Sequence, residues 1–134
     1  KVATIAALLV CRCGQRVSGG STRVLLITAP PLHEVGRLVF QKQKYQDEAT
    51  GVLERKNEHT KLYAAATAEL GKKMELPVVN LFESLQEEYG DCSNILEDGL
   101  HFNAKGQGAV WLRVKQTLLQ SYPELEVRVQ QGAP

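Results

Sequence analysis

Val24-Leu25-Leu26-Ile27 is a continuous apolar run that stops at Thr28-Ala29-Pro30-Pro31. A short run without polar alternation predicts a strand buried on both faces, the kind found in parallel sheets covered by helices. Pro77-Val78-Val79-Asn80-Leu81-Phe82 is a second short run of the same type. Helical segments surround the two. Residues 2 to 16, apolar at Ile5, Leu8 and Leu9, read as a helix, and Ser18-Gly19-Gly20-Ser21 breaks it with a turn. Residues 32 to 46 read as a mixed loop with some helical character. Residues 48 to 73 read as a long helix, with Val52, Leu62, Ala65, Ala66 and Leu70 roughly at helical spacing and an end near Gly71-Lys72-Lys73. A brief helix is expected over 83 to 89 and a loop over 90 to 97. The last helix runs from Ala104 to about Tyr122, with Asn103 as its cap, Val110, Trp111, Val114, Leu118 and Leu119 as its apolar face, and Pro123 just beyond it.

Helix–strand–helix–strand–helix is an α/β order. Two strands make a poor sheet, and one edge stays bare unless another strand, from the same chain or a partner, covers it. The expectation is therefore a part of a larger sheet, with self-association through the bare edge as the alternative. Lys1 is not an initiating Met, which suggests that an N-terminal part is missing.

Composition narrows the function. The 134 residues are 43% apolar and 23% charged, as in an ordinary globular domain with a core. The formal net charge is +1 and the charges are interspersed, so nothing points to nucleic acid. The run Val2 to Val10 superficially resembles a signal-peptide core, but no small-x-small site follows it, and it is too short to span a bilayer. Cys11, Cys13 and Cys92 form no disulfide framework, which mildly favours a reducing, cytoplasmic setting.

The chemistry-bearing stretch is Asp98-Gly99-Leu100-His101, followed by Phe102-Asn103-Ala104-Lys105-Gly106. It places an acid and an imidazole three residues apart on a loop that runs into the last helix. An Asp so placed can accept a hydrogen bond from one ring nitrogen, fix the tautomer and leave the other nitrogen free as a general base. The plainer reading is a surface His beside an Asp that serves the local turn.

The wider pattern resembles the C-terminal half of the SGNH (GDSL-type) hydrolases, which carry Asp-x-x-His before their last helix. The likeness is closest to the isoamyl-acetate-hydrolysing esterase branch. There a strand ending in a Thr-Pro-Pro-like turn is similar to Leu26-Ile27-Thr28-Ala29-Pro30-Pro31 with Glu34 after it. The helix with Arg55, Asn57 and Tyr63, and the strand Val78-Val79-Asn80-Leu81, also look like that branch. The resemblance covers roughly residues 22 to 120. It implies the C-terminal part of a three-layer α/β/α, flavodoxin-like sandwich with a parallel sheet of about five strands. It implies residues 1–123 as a partial esterase domain and 124–134 as a tail. It further implies hydrolysis of a small-molecule ester through a serine acyl-enzyme, without a cofactor, with His101 as base and Asp98 as its orienting acid.

The family's Gly-Asp-Ser nucleophile block and its oxyanion Gly and Asn blocks have no match here. Ser18 and Ser21 stand in a Gly-rich turn rather than in that context. His33 and Glu34 follow a strand end, where ligand-contacting loops lie, but read more simply as solvated. His59 reads as solvent-facing, Trp111 as core, and Asn57 as a mid-helix residue unable to replace the oxyanion Asn. A metal site from Asp91, Cys92, Asp98 and His101 has no familiar zinc spacing. The alternative function is a truncated, non-catalytic α/β protein acting through a partner chain. A third is a binding module with a coincidental Asp-x-x-His.

Overall fold

The computed structural model describes residues 23 to 124. The expected first helix, the Ser18–Ser21 turn, Cys11, Cys13 and most of the C-terminal tail lie outside those residues. Within them the order is β1 (Leu26–Ile27), α1 (Glu34–Tyr45), a 3₁₀ turn (Gln46–Glu48), α2 (Asn57–Lys73), β2 (Val78–Val79), α3 (Leu81–Tyr89) and α4 (Ala104–Ser121). β1 and β2 pair in parallel, Leu26 opposite Val78 and Ile27 opposite Val79. The Leu26 and Thr28 amides donate to the Pro77 and Val79 carbonyls, each at 3.0 Å. The fold is α/β, with α2 packed on β1 and α4 on β2. Among the described residues no helix is long and apolar enough to cross a membrane.

The core joins β2, α3, the 90–97 loop and α4. Val79, Leu81, Leu85, Cys92, Ile95, Leu96 and Ala109 are buried together, with Phe102, Val110 and Val114 packed against them. Gly106 lets α4 dock, since a Cβ there would run into the Ile95 carbonyl and the Phe102 ring. That contact sets the helix phase and corrects the expectation for Trp111. The indole lies two residues past buried Ala109, about 200° around the helix, and is 47% exposed.

Several element boundaries differ from the sequence reading. Residues 34–45 are a full helix rather than a mixed loop. The Nδ1 of His33 accepts from the Gly36 amide at 3.2 Å and caps α1, a role more often taken by Ser, Thr, Asp or Asn. The long helix starts at Asn57 rather than 48, because Gly51 turns the chain at φ +69° and Glu34 accepts the Asn57 amide at 2.7 Å. Val52 and Leu62 are consequently exposed, while the small residues Ala64 and Gly71 form the buried side of α2. Leu81 and Phe82 open α3 rather than extend β2. Asn80 caps that helix by accepting from the Glu83 amide at 3.3 Å, and the buried Thr28 hydroxyl accepts from Phe82 N at 3.2 Å. β1 is not buried on both faces, since Ile27 has one neighbouring strand among the described residues and is 46% exposed.

Candidate active site

The Asp98 loop is built by backbone pairing before any side chain acts. Leu96 and Phe102 form an antiparallel bridge, the Glu97 amide donates to the His101 carbonyl at 2.8 Å, and Asn103 N donates to Ile95 O at 3.1 Å. Buried Ile95 and Leu96 root this small loop in the core. Gly99 turns it at φ +77°, a conformation that disfavours a side chain. At the loop's exit, Asn103 Oδ1 accepts from Gly106 N at 3.0 Å and starts α4 as expected.

Asp98 is 92% buried by accessible surface, at 8% exposure, and its four acceptor positions are filled. Oδ1 accepts the Leu100 amide at 3.0 Å and the His101 amide at 2.8 Å. Oδ2 accepts Arg37 Nη1 at 2.6 Å and lies 2.9 Å from His101 Nδ1. Desolvation pushes the carboxyl up. The amide and ring of His101 and the Leu100 amide outweigh it and hold the group at about 2. An ionised carboxylate only accepts, so the ring nitrogen facing it carries the hydrogen, and in a neutral ring the free lone pair is then on Nε2. The His101 side chain is 72% exposed. An oriented imidazole open on its Nε2 side can move a proton to or from a group brought against it.

The depressed Asp98 carboxyl carries a pH signature. The unfolded chain takes up a proton near the ordinary value of about 3.9, whereas the folded one holds out to about 2. The stabilisation is complete above the unfolded value and lost as pH falls through the folded one. The urea midpoint of Asp98→Asn is expected well below wild type at pH 7, with the gap narrowing from pH 4 toward pH 2. A gap of constant size would contradict this.

α1 supplies the other half of the setting. Asn57, the first residue of α2 rather than a mid-helix one, clamps the preceding loop. Its Oδ1 accepts Leu32 N at 2.9 Å and its Nδ2 donates to Leu32 O at 2.5 Å. The His33 amide then donates to Gly99 O at 2.9 Å, which docks the start of α1 on the Asp98 loop. His33 and Glu34 are thus helix caps rather than solvated residues, and His33 Nε2 lies 3.7 Å from Asp91 Oδ2. His59 faces solvent, as expected. Cys92 is free and buried, its Sγ 3.6 Å from the Leu85 carbonyl, and burial pushes its thiol up. Among the described residues no three His, Cys, Asp or Glu side chains are placed to hold a metal ion.

Arg37 is the residue that the sequence reading passed over. It is buried, and its Nε donates to Glu54 Oε1 at 2.8 Å while Nη2 also reaches that oxygen. Its Cζ sits 5.0 Å from the Phe40 ring centroid. The available signal was one charge inside Val35-Gly36-Arg37-Leu38-Val39-Phe40, a pattern that calls for a buried partner. Glu54 also borders a groove of about 370 Å³ with Gln41, Tyr45, Glu48, Thr50 and Val52.

Known proteins give this geometry its context. A GDSL esterase/lipase of Arabidopsis thaliana is 33% identical over 99 residues, 74% of this chain and 41% of the relative. A second from the same plant is 33% identical over 97 residues, 72% of this chain and 39% of the relative. The chain is a relative of the GDSL esterase/lipases. The isoamyl acetate-hydrolyzing esterase of Saccharomyces cerevisiae is 38% identical over 82 residues, 60% of this chain and 33% of that enzyme. No family model matches the chain. The 134 residues span about two fifths of the first two GDSL relatives' lengths.

Proposed function

We propose that this chain supplies the acid–base pair of a serine-type carboxylic ester hydrolase acting on small acyl esters, acetate esters among them. In this reading residues 1–123 are part of an SGNH-type domain and 124–134 its tail. The observation that carries it is a buried, ionised Asp98 holding an exposed His101 by Nδ1. In a chain related to ester hydrolases, that pair has an obvious use. A serine hydroxyl, supplied from a Gly-Asp-Ser block outside these residues, attacks the ester carbonyl carbon as His101 Nε2 takes its proton. The tetrahedral adduct collapses to an acyl-serine and the same proton passes to the leaving alcohol. Water then attacks the acyl carbon, again giving its proton to Nε2, and the acid product and free serine are released. Asp98 stays ionised throughout and stabilises the imidazolium.

The test is hydrolysis of a chromogenic acetate ester, with covalent capture of a fluorophosphonate probe, by the natural protein at its full length. Turnover that the probe abolishes is expected, whereas the 134 residues alone are expected to take up no probe. A folded full-length protein that neither turns over short acyl esters nor captures the probe would overturn the reading. The edge of β1 left open among the described residues would then favour the second one, a non-catalytic α/β protein that acts through a partner chain.

A further inference from the structure

We infer that Arg37 is a positioning residue for the Asp98–His101 pair, its guanidinium fork fixing the carboxylate against which the His101 ring is aligned. The inference rests on the hydrolase reading for its consequence in rate, and on geometry alone for its consequence in orientation.

Arg37 Nη1 and His101 Nδ1 meet on one oxygen of Asp98, at 2.6 and 2.9 Å. The two backbone amides hold the other oxygen, but both come from the same short loop. Among the described residues Nη1 is the one donor to this carboxylate that arrives from a different element, so it ties the plane of the acid to α1. Arg37 cannot swing away easily. Its opposite edge grips Glu54, its face lies against Phe40, and the side chain is 9% exposed. A rigid fork can hold Asp98 and Glu54 at once, which a single ammonium cannot. The charges also interlock. Asp98 faces one fixed cation and one ring that becomes cationic only when it takes a proton, while Glu54 balances the outer side of the guanidinium. A catalytic base loses much of its effect when its orientation loosens, since small displacements of a reacting group cost large factors in rate. Arg37 is thus placed to act on rate through Asp98 without touching substrate.

The experiment uses the full-length natural protein in two variants, Arg37→Met and Arg37→Lys, each checked for folding by circular dichroism. In Arg37→Met, kcat for a chromogenic acetate ester is expected to fall by about tenfold or more with KM within about twofold, the pattern of an interaction felt in the transition state. Arg37→Lys keeps the charge but loses the fork, and its kcat is expected between the two. A purely structural role would change the folded fraction but not kcat per folded molecule. The second readout needs no substrate. The ¹⁵N signals of the His101 ring are expected to show hydrogen on Nδ1 in wild type and a mixture of tautomers in Arg37→Met. Should Arg37→Met not fold, Arg37→Lys decides on the same two readouts. A folded variant with kcat within about twofold of wild type and an unchanged ring signal would overturn the inference. Undiminished turnover in His101→Ala would instead overturn the hydrolase reading, leaving the ring signal to judge Arg37.

Discussion

Replacing His101 by alanine in the full-length protein is expected to lower kcat for a short acyl ester by about 10²–10⁴-fold while leaving the fold intact. The two halves of that statement have separate grounds. The rate loss follows from the proposed role, since no other described group is bonded to Asp98 in a way that leaves a free basic nitrogen. The intact fold follows from the side chain's 72% exposure and from what remains on Asp98 after truncation. Arg37 Nη1, the Leu100 amide and the backbone amide of residue 101 itself stay in place. Calorimetry should therefore show a melting temperature close to wild type beside the loss of turnover. A folded variant with wild-type kcat would remove His101 from the chemistry.

Gly99→Ala is expected to destabilise the protein by about 2–5 kcal/mol, the sum of a left-handed backbone penalty and of forced overpacking. At φ +77° the new Cβ would meet the Arg37 amide nitrogen and the His33 carbonyl oxygen. Both are backbone atoms of the first turn of α1, so neither can rotate away as a side-chain tip could. Relief requires the Asp98 loop and α1 to part, which also breaks the His33–Gly99 hydrogen bond and stretches Arg37 from Asp98. Urea titration at neutral pH measures the loss. A change below about 1 kcal/mol would mean that the loop and α1 are not in such close contact.

Much of the architecture was legible because it rests on local signals. The two short apolar runs pair as parallel strands, and Asn103 opens the last helix, as read. What escaped the sequence depends on contacts distant along the chain. His33 is a weak cap by type and serves because Gly36 and Gly99 bring backbone close to it. Asn57 begins a helix because Leu32 and Glu34, some 25 residues earlier, fold onto it. Trp111 looked like core because its neighbours are apolar, but the close approach at Gly106 turns it outward. The Asp98–His101 juxtaposition was readable since three residues on a tight turn must be neighbours. Arg37, 61 residues from Asp98, was not.

The two sides of the Asp98 loop are fastened by different materials. Ile95, Leu96 and Phe102 root it in an apolar core, while α1 holds it through hydrogen bonds and one buried ion pair. Under mutational drift these fastenings fail differently. Changes in the core remove the protein altogether, so selection sees them at once. Conservative changes along α1 re-aim a carboxylate while the domain stands, and under the proposed hydrolase role they would retune reaction speed without rebuilding a pocket. Under the hydrolase reading, α1 is accordingly where divergence between descendants of this sequence would be most informative about how fast each has come to work.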